Sequence, residues 1–395
     1  MKKQLWTVLV AIFVLGFFVV TANAQEMDRE SLKAEIMKEL KEDMKADAGY
    51  VGWIRDHITI GGLLRVGASY QKLEYWDTRS DLKESDINMT TVELAVAAEI
   101  NEWVTGDITF LYEDPTNICG RKHHAEDTDV EIDEAIITIG NTDEFPLYFS
   151  AGKMYVPFGA LLTHFPDDPA MDVPLTLIMG ETNEKAALLG VEVEGFGVSV
   201  YGFNGDIDEA GEDNQIESYG VDAHYALEHE EGLDLLVGVS YISNILDSDN
   251  LQDAMKEHGY PQIVDYIAAY DAYLHVGFAG FFFDAEYMRS LDDIKQIDYP
   301  NLPLTRGKSE PTVANFEAGY NLDWGRNLEI VLKYVYTRQA GILGFPDDRY
   351  GICLNQDIWD HVVVSLAYLY DDYDRTDIDT KDKRNTVYAQ LAIEF

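Results

Sequence analysis

Charged side chains recur at every second position in many segments of the 395-residue sequence. They alternate with apolar residues, as Asp234 does with Leu233 and Leu235. A strand with this alternation has one polar face and one apolar face. We predict that one polar wall, facing water, is formed by Arg65, Glu93, Glu113, Asp222, His224, His275, Asp284, Glu286, Glu317, Glu329 and Lys333. Carboxylates outnumber bases in this set, and rings of carboxylates around a passage attract cations.

A second candidate site is the segment from Val156 to Glu184, which is apolar without a period of two. Long structureless connections that are this apolar are rarely solvated loops, so we expect this one to pack inside the structure. There it would narrow any central passage. The residues that we predict at this constriction are Lys153, Val156, Pro157, Phe158, Gly159, Asp167, Asp168, Asp172, Leu175, Thr176, Gly180, Glu181 and Thr182.

Catalytic and metal-binding patterns are weak. His123 and His124 precede three carboxylates, which indicates either a metal site or a solvated acidic loop. The aspartates between Asp371 and Asp382 form a second acidic cluster. Such outer loops are candidates for Ca²⁺ or Mg²⁺, although their spacing is not diagnostic. We predict no other cofactor and no enzymatic activity.

The charge balance limits the partners. The chain has 72 acidic and 29 basic residues and a formal net charge of −43. Nucleic-acid phosphates are bound by lysine and arginine, so a nucleic-acid partner is excluded. The two cysteines, Cys119 and Cys353, are far apart in the sequence. An oxidising compartment would permit a disulfide between them, but the sequence leaves their pairing open.

The N-terminus predicts export. Lys2 and Lys3 precede an apolar run and an A-x-A site, which predicts a cleaved signal peptide over residues 1–24. Residues 25–48 predict a periplasmic helix, since apolar residues recur every four positions at Leu32, Ile36, Leu40 and Met44. This helix is either a short coiled coil that assists oligomerisation or a lone solvated helix.

From residue 57 the apolar period changes to two, which predicts an all-β, antiparallel transmembrane barrel over residues 49–395. Closed barrels and helices are the structures that satisfy all backbone hydrogen bonds in lipid. Short turns alternate with long acidic loops, as in outer-membrane barrels. About sixteen strands are predicted, at 57–70, 90–100, 104–113, 129–140, 146–155, 185–194, 197–204, 216–227, 232–243, 269–279, 281–289, 312–322, 327–338, 348–355, 360–370 and 385–395.

One stretch resembles a known family. Residues 152–159 read G-K-M-Y-V-P-F-G, residues 172–177 read D-V-P-L-T-L and residues 180–182 read G-E-T. Together they resemble the LbtU family of siderophore porins, and the similarity extends from about residue 50 to Phe395. The resemblance implies a sixteen-stranded outer-membrane barrel for the uptake of iron–siderophore complexes.

Three functions stay open at this point. The first is a porin for passive diffusion of small solutes, with ferric siderophores as one solute class. The second is a general cation-preferring porin, and the third is a structural or adhesive outer-membrane protein. The expected partners are outer-membrane lipid and lipopolysaccharide, a small solute and, by analogy with other porins, two further copies in a homotrimer. The last strand ends at Phe395, which resembles a signal for the barrel-assembly machinery.

Overall fold

The computed structural model describes residues 57–77, 79–114, 130–161, 173–205, 207–209, 215–229, 232–260, 262–302, 304, 307–374 and 380–395. The predicted signal peptide, the predicted helix over 25–48, Cys119 and the His123–His124 pair lie outside these residues. Among the residues that are described, no helix has the length and hydropathy of a membrane-spanning segment.

Sixteen antiparallel strands form one closed barrel, which confirms the predicted fold class. Each strand pairs with the next along the barrel, and the last pairs with the first. The strands are β1 (Ile58–Tyr75), β2 (Leu82–Asn101), β3 (Val104–Glu113), β4 (Glu131–Asn141), β5 (Phe145–Tyr155), β6 (Asn183–Val193), β7 (Phe196–Phe203), β8 (Ser218–His229), β9 (Leu233–Ile242), β10 (Ala269–Phe278), β11 (Phe281–Ser290), β12 (Thr312–Leu322), β13 (Leu328–Arg338), β14 (Asp348–Trp359), β15 (Val362–Asp372) and β16 (Lys381–Glu394).

The outer surface of the barrel is apolar. Large side chains such as Leu332, Leu366 and Val239 are exposed on it, with 58%, 50% and 56% of their surface accessible. Aromatic rings form a belt across β12–β15, where Tyr334 lies 5.2 Å from Tyr350 between ring centroids. An apolar band with aromatic rings at its edge is the lipid-facing surface of an outer-membrane barrel.

The barrel closes where β16 meets β1. The backbone of Phe395 exchanges hydrogen bonds with Gly62, at 2.8 and 3.0 Å. A Cβ on Gly62 would lie 2.5 Å from the Phe395 ring, so only glycine leaves room for that ring. The terminal aromatic residue therefore packs over the seam itself, which gives it a structural role in closing the barrel.

The strand bounds differ from the prediction at one end of the barrel. The connection expected over residues 71–89 is largely strand, since β1 and β2 continue to pair up to Leu73 and Leu82. Many residues of this extension are polar. Strands that continue beyond the lipid still pair through backbone hydrogen bonds, which do not require apolar side chains. The same end carries the other long connections and is called the long-loop end below.

Five long connections, including the one between β7 and β8 that contributes Ile207, share one apolar core at the long-loop end. They contain helix α1 (Leu175–Gly180), helix α2 (Asp249–Glu257) and the 3-10 turns Ile245–Asp247 and Gly341–Leu343. We call these connections the loop assembly, and its fully or almost fully buried side chains include Phe158, Leu175, Met179, Leu246, Leu251, Met255, Ile294, Leu302 and Ile342. The sequence predicts an inward segment only for the connection between β5 and β6.

Candidate functional site: the barrel interior

The chain that follows β5 runs against the inner wall of the barrel. The backbone N–H of Gly159 donates to Ser240 Oγ on β9 at 2.8 Å, and that of Ala160 donates to Glu286 Oε1 on β11 at 2.7 Å. The hydroxyl of Thr176, in α1, also donates to Glu286. The connection between β5 and β6 is therefore fixed to the inner wall at β9 and β11, several strands away.

Glycine permits this close approach. Gly159 has φ +88°, and a Cβ on it would lie 2.9 Å from Glu286 Oε1. A Cβ on Gly180 would lie 2.4 Å from Cε of Met288, also on β11. Both positions thus need a residue without a side chain, because the loop backbone lies directly on the wall.

The predicted constriction residues fall into three groups. Those buried in this contact are Val156, Phe158, Gly159, Leu175, Thr176, Gly180 and Thr182, while Pro157 and Glu181 are partly buried nearby. Asp167, Asp168 and Asp172 lie outside the described residues. Lys153 was predicted at the constriction, but it lies on the outer face of the barrel. It pairs with Ala135 there, and its Nζ donates to the carbonyl of Ile132. Lys153 alternates with Met154, which is the residue that points inward and is buried.

The two ends of the inward segment are joined by a network that the sequence analysis missed. Tyr155 Oη and Asn183 Nδ2 each donate to Asp133 Oδ1 at 2.8 Å. Asp249, at the start of α2, accepts from the backbone N–H of Asn183 at 3.1 Å. Asp133 is the extra residue of a β-bulge in β4, opposite Thr109 and Phe110. In the sequence, Glu134 interrupts the alternation of polar and apolar residues in β4, and this interruption is the signal of the bulge.

Two carboxylates in the long connections have shifted pKa values. Asp347 accepts from the backbone N–H of Asp374 at 2.7 Å, but burial raises its pKa. Asp293 faces Lys308 Nζ at 2.9 Å, and this hydrogen bond to the cation lowers the pKa of Asp293. The Lys308 side chain is 53% exposed and that of Asp293 is partly exposed, so the pair adds little to stability.

The basic residues of the inner wall are paired and buried along β12–β16. Lys333 Nζ lies 3.1 Å from Glu317 Oε1, and both side chains are at most 2% exposed. Asp371 sits between two arginines, 2.7 Å from Arg349 Nε and 2.7 Å from Arg384 Nη2. These bases are therefore held in ion pairs with carboxylates and shielded from solvent.

The register places all the predicted wall residues on the same face as Ser240 and Glu286. His224 Nδ1 lies 2.7 Å from Asp222 Oδ1, and His275 is hydrogen-bonded to Asp284. Glu329 accepts from Asn355 at 2.9 Å. The remaining members, near β1–β3, are Arg65, which donates to the hydroxyl of Thr91, and the carboxylates Glu93 and Glu113.

Two cavities lie along this wall. One, of about 400 Å³, lies against β2–β6 and includes Asp107 and Glu134 in its lining. The other, of about 520 Å³, lies at the opposite end from the long loops, beside Glu329 and Asn355. In the described ranges, no group of three histidine, cysteine, aspartate or glutamate side chains is placed to hold a metal ion.

A closed barrel of this strand number with a long connection against its inner wall is the architecture of an outer-membrane porin. Three solved outer-membrane proteins have a similar fold. OprB of Pseudomonas putida has a TM-score of 0.57 at 10% identity, with 88% of this chain and 97% of that chain covered. The anion-selective porin of Comamonas acidovorans has a TM-score of 0.55 at 11% identity, with 86% and 99% covered. OmpF of Salmonella typhi, in a complex with daunomycin, has a TM-score of 0.53 at 11% identity, with 86% of this chain and 97% of that chain covered.

The sequence relatives are UPF0422 proteins. One from Coxiella burnetii is 29% identical over 313 residues, covering 78% of this chain and 63% of its own length. One from Legionella pneumophila is 26% identical over 351 residues, covering 80% of this chain and 63% of its own length. The chain thus spans less than two thirds of these relatives. No family model matches it. The relatives' names describe no activity, so the LbtU subtype stays a prediction.

Proposed function

We propose that this protein is a passive, cation-preferring pore for small solutes in the bacterial outer membrane. The observation that carries the proposal is an asymmetry of the inner wall. Its buried bases lie in ion pairs along β12–β16, whereas its accessible charges are mainly carboxylates. The fold of an outer-membrane porin supports a channel, because a barrel of this strand number is wide enough to hold water.

Exposure values support the asymmetry. The side chain of Glu113 is 43% exposed and that of Asp234 is 56% exposed, whereas Lys333 and Arg349 are 0% exposed. The accessible wall therefore carries more negative charge than a count of inward residues indicates. Charges in a narrow passage with low-dielectric walls act on ions more strongly than charges on an open surface, and counter-ions accumulate there.

The position of the inward segment supports a narrowed passage. It is supported by the hydrogen bonds from Gly159 and Ala160, and from Thr176 in α1, to Ser240 and Glu286 on the inner wall. In this proposal the segment reduces the width of the pore, and the acidic wall along β1–β4 forms the other side of the permeation path.

Reversal potentials in a salt gradient test the proposal. We expect purified protein in planar bilayers to conduct and to prefer K⁺ over Cl⁻. The variant E93Q/D107N/E134Q removes three partly exposed carboxylates of the wall and should reduce this preference. The matched control, D143N/E144Q/D372N, removes three exposed carboxylates outside the wall and should keep it. Correctly folded protein without channels would contradict the pore, and unchanged selectivity in the first variant would contradict the role of the wall.

A second candidate function is passage of iron–siderophore complexes. It is favoured by the location of the residues that resemble the LbtU family, since Val156 to Gly159 and Leu175 to Thr182 form the inward segment itself. A ferric chelate that enters the passage should interrupt single-channel current at micromolar concentration, and the iron-free chelator serves as the control. Equal effects of the two compounds would count against this candidate.

A further inference from the structure

We infer that the cavity against β2–β6 is a binding subsite for small organic amines, that is, for an ammonium group attached to an apolar chain. This inference rests on the proposed pore and names a solute class for it. The cavity measures about 400 Å³, and its lining is divided between carboxylates, tyrosines and apolar side chains. This volume lies within the range of about 300–1,000 Å³ typical of sites for small organic ligands.

The carboxylates are placed to face one ammonium group from two strands. Asp107 pairs with Ile136 and Thr109 pairs with Glu134, so Asp107 and Glu134 are diagonal neighbours on β3 and β4. Such neighbours lie about 7–8 Å apart at their backbones, and their side chains reach a common ligand between them. Among the described residues, Asp107 has no hydrogen-bond donor or ion-pair partner.

Further carboxylates strengthen the negative potential at this place. The β-bulge that makes Asp133 the extra residue also turns Glu134 inward beside it, and Glu93 is close enough to repel the Glu134 carboxylate. Within the described part of the chain, the lining of the cavity includes no lysine or arginine. A cation that enters would therefore meet Asp107 and Glu134 with no base beside them in the lining.

The rest of the lining suits an apolar chain. Ile136, Met154 and Leu188 contribute aliphatic surface, and Tyr148 contributes its ring, which lies over Gly190. A Cβ on Gly190 would lie 2.2 Å from Cζ of Tyr148, so the ring can occupy this position only because residue 190 is glycine. Tyrosine faces also attract ammonium groups.

This combination of surfaces discriminates between solute classes. A small inorganic cation would use the carboxylates and leave the apolar surface wet. An anion would be repelled by Asp107 and Glu134, and a neutral solute would gain nothing from them. An alkylammonium ion uses both parts, because its charged group meets the carboxylates while its chain leaves water at Ile136, Met154 and Leu188.

Current block by alkylammonium chlorides in planar bilayers tests the inference. We expect added hexylammonium to reduce the single-channel K⁺ current, and each methylene from ethyl to hexyl to lower the half-blocking concentration about two- to fourfold. The variant D107N/E134Q should raise that concentration at least tenfold. Gly190→Ala, which pushes Tyr148 into the cavity without changing charge, should also weaken block.

A charge-matched control separates the subsite from the general field of the pore. The variant D234N/D284N neutralises two inward carboxylates on β9 and β11, outside the cavity, and should lower cation preference while it leaves block by hexylammonium unchanged. Equal loss of block in both double variants, or no dependence on chain length, would overturn the subsite while the pore proposal stands. Absence of any conductance in the wild-type protein would instead contradict the pore proposal.

Discussion

Ala160 and Glu286 join a long connection to the opposite wall of the barrel: the Ala160 backbone N–H donates to Glu286 Oε1 at 2.7 Å. Thr176 donates to the other carboxylate oxygen of Glu286, so one side chain holds both the start and the helical part of the inward segment. Hydrogen bonds to a charged acceptor contribute about 1.5–3 kcal/mol each. Glu286 is therefore the residue whose change should affect the segment most directly.

Replacing Glu286 with Gln should loosen the inward segment. Gln cannot accept two hydrogen bonds at the two former carboxylate oxygens, since one becomes an amide donor. We expect more open-state current noise in single channels and faster protease cleavage within the segment. Asp284→Asn is the control, because Asp284 lies two positions away on the same face and bonds to His275 rather than to the segment. Equal noise in the two variants would argue against an anchoring role for Glu286.

Asp371→Asn should destabilise the barrel. Arg349 and Arg384 would then share a buried site without a carboxylate, and breaking a buried ion pair costs about 3–5 kcal/mol. Urea unfolding in lipid vesicles, followed by tryptophan fluorescence, measures the loss. The neighbouring Asp372 points outward and is exposed, so Asp372→Asn should change stability by about 0.5 kcal/mol or less. Similar unfolding midpoints for the two variants would show that the arginines do not depend on Asp371.

Leu251→Ala should open the loop assembly and leave the barrel intact. Leu251 in α2 is fully buried among other connections, and such a truncation costs about 2–5 kcal/mol. This cost affects the loop assembly only, since the strands keep their hydrogen bonds. We expect a higher mean conductance with unchanged heat-modifiable migration on gels. The exposed Asp253 lies on the same helix, and Asp253→Ala should behave as wild type. Lost heat modifiability in Leu251→Ala would show that the barrel needs the loop assembly.

Gly152→Ala should reduce the yield of folded barrel. Gly152 has φ +151°, and a Cβ there would lie 2.0 Å from the carbonyl oxygen of Ala135 on β4. The strand pairing would have to separate at this point. Gly106→Ala is the matched control, since its Cβ would lie 3.9 Å from its nearest neighbour, the carbonyl oxygen of Ile136. Refolding yields in detergent compare the two, and equal yields would contradict the steric argument.

Much of the barrel was predictable because a period of two recurs in most of its strands. Each of the sixteen predicted strands corresponds to one in the structure, and Phe395 ends the pairing with β1. The extension of β1 and β2 was missed because Lys72, Glu74 and Lys83 interrupt the apolar face there, so the alternation that marks the other strands is lost. In β5, the alternation places Lys153 on the outer face. We had assigned Lys153 to the constriction because it belongs to the motif over residues 152–159, whose later residues do point inward.

The interior was less predictable than the wall. The sequence indicated which residues point inward, but it did not show that Lys333, Arg349 and Arg384 are paired across strands, since pairing depends on register. Asp133 was missed because a bulge places it beside Glu134 on one face. The loop assembly was missed because its contacts join five connections that are distant in the chain.

The sign and size of the reversal potential across a bilayer with a KCl gradient test the central claim most directly. If the accessible carboxylates dominate the permeation path, the wild-type channel will be cation-selective, and E93Q/D107N/E134Q will move the reversal potential toward zero. A wild-type channel that is anion-selective, or one whose selectivity is unaffected by the loss of Glu93, Asp107 and Glu134, would contradict the account.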